Sequence, residues 1–192
     1  MPLEFLVIFG SVRQERRGIG LARFLVQALQ SRGHGATLVD PVEFPLPLLD
    51  KMYKEYPAGE APEVLERLAG MIRSADGILV VSAEYNHSIP PALSNLLDHF
   101  LEEFFWKPSA IACYSAGGFG GVRAAMQLRG MLGELGMPSI PSLYPVPKVQ
   151  DVFDDDGTAK DPKAIEQVSR FLSEFAWYAQ ALQSARASGV PY

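Results

Sequence analysis

Gly77-Ile78-Leu79-Val80-Val81-Ser82 is apolar at every position between its glycine and its serine. A strand with one wet face alternates apolar and polar residues. An unbroken apolar run belongs instead to a sheet covered on both faces, as parallel sheets are. Upstream, Leu3 to Phe9 reads the same way and stops at Gly10-Ser11. Ala36 to Val39, ending at Asp40, and Ala110-Ile111-Ala112-Cys113-Tyr114 are two more strands. A fifth, Ser142 to Val146, sits among Pro141, Pro145 and Pro147, so it belongs at a sheet edge, where a missing N–H is tolerated.

Helical spacing fills the intervals. Leu21, Ala22, Leu25, Val26 and Leu29 share one face from about Ile19 to Leu29, and Ser31-Arg32-Gly33 supplies the stop. Val64, Leu65, Leu68, Ala69 and Ile72 mark a helix from Pro62 to about Arg73. Further helices follow Pro90-Pro91 to about Phe104, run from Val122 to Leu135, and run from Pro162 to Ala185. Residues 41–61, with Pro41, Pro45, Pro47 and Pro57, read as a long irregular connection. Five alternations of strand and helix specify an α/β chain. They predict an open five-stranded parallel sheet with helices on both faces, as one domain over residues 1–192.

Composition narrows the function classes. At 48% hydrophobic and 20% charged, the 192 residues are those of an ordinary globular domain. Seventeen basic against 22 acidic residues give a net charge of −5, which argues against nucleic acid as a partner. The single cysteine, Cys113, excludes an internal disulfide and a four-cysteine zinc site, and mid-strand it reads as a small core residue. No metal site is expected; the acidic Asp154-Asp155-Asp156-Gly157 fails as a calcium loop, with Val152 and Lys163 at its first and twelfth positions. His99, after Asp98 on a helix, reads as a packing or surface histidine. Met1-Pro2-Leu3-Glu4-Phe5 lacks a basic leader, and no apolar run reaches the ~20 residues of a membrane span. The expectation is a cytoplasmic protein with no membrane partner.

In such sheets ligands bind beyond the carboxyl ends of the strands. The loop after the first strand, Gly10-Ser11-Val12-Arg13-Gln14-Glu15-Arg16-Arg17-Gly18-Ile19-Gly20, opens a helix whose free N–H groups favour an anion. With Arg23, four arginines against one glutamate leave a local charge of +3 in an acidic chain, the composition of a phosphate site. It is not a P-loop, because no Gly-Lys pair exists. Gly18-Ile19-Gly20 with Asp40 twenty residues on approaches a dinucleotide fingerprint. Arg23 stands where its third small residue belongs, however, and the glycines come too long after the strand. The second loop, Ser82 to Pro91, offers amide, phenol and imidazole groups to the edge of a flat polar heterocycle. The third, Ser115 to Gly121, has four glycines that let backbone approach a ligand closely. Cys113-x-Ser115-x-Gly117 resembles a hydrolase elbow, but all three histidines (His34, His87, His99) precede Ser115, the wrong order for that fold.

Taken together, Gly10-Ser11-Val12-Arg13, the run Glu84-Tyr85-Asn86-His87-Ser88-Ile89-Pro90-Pro91-Ala92-Leu93-Ser94-Asn95-Leu96-Leu97-Asp98, and Ser115-Ala116-Gly117-Gly118 resemble the NADPH-dependent FMN reductase family. The likeness extends over about residues 3 to 180. Ala83 stands where members usually carry proline, and Arg17-Gly18 stand where a serine or threonine is common. The resemblance implies a flavodoxin-like three-layer sandwich binding FMN, with NADPH or NADH as donor. The acceptor would be small (a quinone, azo compound, metal oxyanion or free flavin) and the kinetics ping-pong. It places the FMN phosphate at Ser11, Arg13, Arg17, Gly18, Ile19 and Gly20. The ring falls to Ala83, Glu84, Tyr85 and Asn86 on one side and Ser115, Ala116, Gly117 and Gly118 on the other. No essential protein acid or base is assigned, because the flavin carries the redox chemistry. A non-enzymatic flavodoxin-type electron carrier is the alternative.

Assembly is the remaining expectation. Leu93, Leu96, Leu97, Phe100, Leu101 and Phe104, followed by Phe105-Trp106, make a stripe wider than the ~100° that a sheet-facing helix needs. Either it meets a second copy, as the resemblance to dimeric and tetrameric reductases implies, or Phe104, Phe105 and Trp106 roof the chain's own core.

Overall fold

The structure, a computed structural model, describes residues 2–192. Its strands are β1 (Glu4–Phe9), β2 (Gly35–Val39), β3 (Gly77–Ala83), β4 (Ser109–Tyr114) and β5 (Ser139–Val146). Its helices are α1 (Ile19–Gln30), α2 (Glu63–Ser74), α3 (Pro91–Asp98), α4 (Val122–Glu134), α5 (Val149–Val152) and α6 (Pro162–Ala187). The sheet order is β2-β1-β3-β4-β5, and every pair is parallel.

The apolar runs are apolar because each face has its own core. In β3, Leu79, Val81 and Ala83 pack with α1 and α6, while Ile78 and Val80 pack with α2, α3 and α4. Phe5, Val7 and Phe9 of β1 take the first layer and Leu6 and Ile8 the second. Period-two geometry sends neighbours to opposite faces, and both faces are dry. All seven residues of β3 are buried.

Two boundaries differ from the sequence reading by three residues or more. The helix after Pro90-Pro91 stops at Asp98 rather than near Phe104. Leu101 leaves helical geometry (φ −145°, ψ −71°), and a single 3₁₀ turn, Glu102–Phe104, carries the chain on. That break folds Phe100 and Phe104 into the α2–α4 core, where each is at most 1% exposed. The apolar stripe is therefore consumed inside the chain, and Phe104 is no outward face. Half-buried Phe105 and Trp106 are themselves covered by Tyr192, at ring centroid distances of 6.2 and 4.8 Å.

The second difference is β5, which starts at Ser139, three residues early, and runs through Pro141 and Pro145. It is the edge strand, and its register against β4 breaks between Ser109 and Ile111. Arg129 steadies this edge by donating to the carbonyls of Ile140 (2.9 Å) and Pro141 (2.6 Å). The irregular segment of residues 41–61 holds one 3₁₀ turn, Tyr53–Glu55. Asn95 of α3 fastens that segment, accepting from Leu49 N–H and donating to the Pro47 carbonyl. His99 is a packing residue, buried with Nδ1 2.6 Å from the Asn95 carbonyl oxygen.

Candidate cofactor cleft

The carboxyl ends of β1, β3 and β4 open onto a cleft of about 270 Å³. Of the residues expected at a site, Ser11, Arg13, Arg17, Ala83, Glu84, Tyr85, Ser115 and Ala116 line it. Glu15, Arg16, Tyr114 and Val149 line it too, and the sequence reading missed them as site residues. Tyr114 had a signal: it is the last residue of β4, one pleat step from Cys113, and so faces the side on which the β1 loop folds.

The first loop is built around charge. Gly10 N–H continues the sheet pairing to the Val81 carbonyl (3.0 Å). Buried Ser11 then places its hydroxyl 2.8 Å from the Tyr85 hydroxyl and accepts from Arg13 N–H. Arg16 turns inward onto Asp40, a carboxylate 1% exposed, with Oδ2 at 2.6 Å. Asp40 also accepts from Val42 N–H (3.0 Å). Asp40 is thus the loop's anchor and Arg16 its counter-charge, so neither is a free ligand group. Arg17 meets exposed Glu15 alone among the described residues, at 3.6 Å, a pairing worth little in water. Arg13 has no ion pair among the described residues and lies 5.8 Å over the Tyr85 ring. An unneutralised guanidinium beside a hydroxyl is a donor set suited to phosphate.

Gly18, Ile19 and Gly20 are placed differently from the expectation: they are buried and do not line the cleft. A Cβ on Gly18 would stand 2.2 Å from Tyr114 Cζ, and one on Gly20 2.1 Å from the Asp154 carbonyl oxygen. Close packing of α1 onto an aromatic ring and a neighbouring loop explains these glycines.

The second loop is a clip. Tyr85 and Ser88 exchange backbone hydrogen bonds (3.1 and 2.9 Å) around Asn86 and His87, both left-handed at φ 52° and 63°. Asn86 is tolerated there because asparagine enters that region readily, and it stands exposed at the tip, outside the cleft lining. Glu84 turns the other way. Its carboxylate accepts from Arg123 N–H (3.0 Å), Ala124 N–H (3.4 Å) and the Arg123 guanidinium (3.0 Å), tying the loop to the start of α4. Burial opposes its charge, but these hydrogen bonds outweigh it and hold its pKa below the ordinary value. Burial pushes the Tyr114 hydroxyl well above the ordinary range and the Cys113 thiol up to about 12, so neither is an acid or base at neutral pH.

The third loop works through backbone. The Ser115 hydroxyl donates to the Gly117 carbonyl and accepts from Gly120 N–H (both 2.9 Å), so it braces its own loop. Gly117 and Gly118 stand exposed just beyond the lining, where an added Cβ would meet nothing within 4 Å. Packing within the chain therefore does not ask for glycine at these two positions. Their backbone stands open for a ligand to approach. The residues thus fit a flat, phosphorylated heterocycle, with cationic and hydroxyl groups at one end and an open backbone cradle at the other.

Among the described residues no group of three His, Cys, Asp or Glu could hold a metal ion, and no helix is long and apolar enough to cross a membrane. The strand order and the three carboxyl-end loops define a flavodoxin-like α/β protein. The chain belongs to the NADPH-dependent FMN reductase family, whose model matches residues 3–151, and is an oxidoreductase using FMN and NAD(P)H. A quinone reductase of Pseudomonas putida is 31% identical over 178 residues, spanning 88% of this chain and 91% of that one. A 2-hydroxy-1,4-benzoquinone reductase of a Burkholderia species is 27% identical over 92% of this chain and 96% of its own. Among solved structures, the flavoenzyme NAD(P)H:(acceptor) oxidoreductase FerB of Paracoccus denitrificans superposes with a TM-score of 0.75 at 23% identity. That match covers 93% of this chain and 98% of FerB. A flavodoxin of Pseudomonas aeruginosa, solved as a single-cysteine mutant, superposes at 0.54 with 19% identity, covering 93% of this chain and 99% of its own.

Proposed function

We propose that this chain holds FMN in the β1–β3–β4 cleft and passes reducing equivalents from NAD(P)H to a small acceptor, a quinone first among them. The observation that carries this reading is Arg13, without an ion pair among the described residues, lining one cleft with Ser11 of the first loop and Ser115 and Ala116 of the third. Ser11, Arg13 and Arg17 hold the phosphate; Ala83 to Tyr85 and Ser115 to Gly118 hold the ring. Bound FMN supplies two-electron acceptance and donation, in two half-reactions that donor and acceptor enter in turn, giving ping-pong kinetics. The protein's part is position and electrostatics. Peptide N–H groups of the third loop donate toward negative charge that develops on a ligand, and no side chain need exchange a proton. Glu84 is occupied with α4, and Tyr114 and Cys113 stay protonated.

Quinones are favoured because relatives spanning most of this chain carry that activity in their names. Azo compounds, metal oxyanions and free flavin belong to the same test. Purified protein loaded with FMN should consume NADPH or NADH steadily with a quinone and no other protein. Consumption only after a separate reductase is added would favour the electron-carrier reading. We assign the chain to the cytoplasm, on its one free cysteine and its nicotinamide donor.

A homodimer or homotetramer belongs to the same reading. The surface supporting it is not the α3 stripe but a groove between residues 41–48 and α3, rimmed by exposed Val12 (53%) and Leu48 (84%). Sedimentation should give two or four times the 21.0 kDa chain mass; the chain mass itself at micromolar concentration would reject assembly.

A further inference from the structure

The third loop is strapped from behind. Val149 N–H donates to the Ser115 carbonyl (3.2 Å), Gln150 Nε2 to the Ala116 carbonyl (3.3 Å) and Lys148 N–H to the Gly117 carbonyl (2.9 Å). Three consecutive carbonyls are therefore drawn toward one short segment, residues 148–150. In a trans peptide the carbonyl of one residue and the N–H of the next point in opposite directions. Holding those three carbonyls back turns the N–H groups of Ala116, Gly117 and Gly118 forward, away from the strap. None of the three enters the loop's hydrogen bonds among the described residues. A run of like-directed N–H groups is an anion-binding concavity.

The three holds are unequal. The Gly117 carbonyl has a second donor in the Ser115 hydroxyl, and Ser115 is fixed again by its own N–H to Val146 (3.2 Å). The Ala116 carbonyl has Gln150 alone among the described residues. Gln150 also bears a cost, since its Oε1 is buried without a hydrogen-bond partner among the described residues. Leaving a buried acceptor unmet is unfavourable, and the one hydrogen bond this side chain makes among the described residues is at its other end, to the Ala116 carbonyl.

We propose that Gln150 is a positioning residue for the flavin's reaction: its amide orients the Ala116–Gly117 peptide, so that Gly117 N–H donates to the negative charge gained on reduction. This rests on the FMN reading above. Its loss leaves that peptide free to rotate, weakening the reduced ligand more than the oxidised one.

The test is Gln150→Met, which keeps the side chain's length and removes both the donor and the unmet acceptor, with Gln150→Glu as a second variant that cannot donate. The readouts are melting temperature, FMN affinity by fluorescence, and the two-electron midpoint potential of bound FMN. Gln150→Met should melt at or above wild type. It should also bind reduced FMN about tenfold more weakly relative to oxidised FMN, a potential about 30 mV more negative. Gln150→Glu should move the potential in the same direction and further, its carboxylate facing the Ala116 carbonyl. Unchanged potential in both variants overturns the proposal while FMN binding stands. Wild-type protein that binds no FMN overturns the underlying reading instead. A variant that melts early at wild-type potential marks Gln150 as merely structural and also overturns the proposal.

Discussion

The molecule has two glycine-bearing loops at one end of its sheet, and one pair of glycines in each does the opposite of the other. In residues 10–20 the glycines are crowded: Gly18 is pressed on Tyr114 and Gly20 on the Asp154 carbonyl. What that loop offers a ligand is side-chain charge, from Arg13 and Arg17. In residues 115–121, Gly117 and Gly118 are surrounded by open space, and what is offered is backbone N–H. The first loop spends Gly18 and Gly20 on the fold; the third spends Gly120 and Gly121 there too but leaves Gly117 and Gly118 open. The same residue type in sequence thus carries two physical meanings, and only the neighbours distinguish them.

The largest expected effect falls on the crowded loop. Gly18→Ala places a methyl group inside the Tyr114 ring, and Tyr114 itself stacks on Phe9 in the core (centroids 6.3 Å, 15° between planes). Urea denaturation should show a loss of about 3 kcal/mol, at the upper end for overpacking. A loss under about 1 kcal/mol would show that the ring can yield and that the contrast is overstated.

Next comes the charge. Arg13→Ala should leave the melting temperature unchanged, because its guanidinium holds no carboxylate among the described residues. FMN binding should weaken by about 1.5–3 kcal/mol, the range for a hydrogen bond to a charged group. If Arg16→Ala, which frees Asp40, weakens FMN as much without loss of stability, the division of labour between the two arginines is wrong.

Gly117→Val is the counterpart of Gly18→Ala. Stability should stay within about 0.5 kcal/mol, the scale of an ordinary surface change. FMN affinity should fall about tenfold, or about 1.4 kcal/mol, because the side chain takes up the space of the guest. Equal FMN affinity in the variant would mean that the open space is not used.

The smallest effect is a matter of pH. Glu84 has a folded-state pKa below its ordinary value of 4.5, so its contribution to stability is complete above that pH and is lost as pH falls through the lowered value. Glu84→Gln should cost about 1 kcal/mol at neutral pH and flatten the acid limb of the stability curve below about pH 4.5. A variant and wild type that lose stability in parallel on acidification would remove Glu84 from the account.

Much of this was legible in the sequence. Runs such as Leu3–Phe9 and Gly77–Ser82 announce burial on both faces, and a parallel sheet follows from their alternation with helices. The end of α3 was not legible, because Phe100 and Phe104 continue the apolar pattern after the helix has ended at Asp98. Periodicity reports which residues are dry, not which element holds them dry. The start of β5 was missed because proline reads as interruption, and an edge strand accepts it. At the site, Ser11, Arg13 and the third loop were readable from composition. The inward turn of Arg16 onto Asp40, the packing duty of Gly18 and Gly20, and the Gln150 strap all depend on contacts between distant segments. No local pattern encodes them.

On the proposed reading the first loop holds a phosphate and the other two hold a ring. Fluorescence titration of the apoprotein with FMN and with riboflavin, in the same buffer at low salt, separates these parts most directly. FMN should bind about 30-fold more tightly than riboflavin, about 2 kcal/mol, and the gap should close in Arg13→Ala. Equal affinity for the two ligands, or no binding of either, would contradict it.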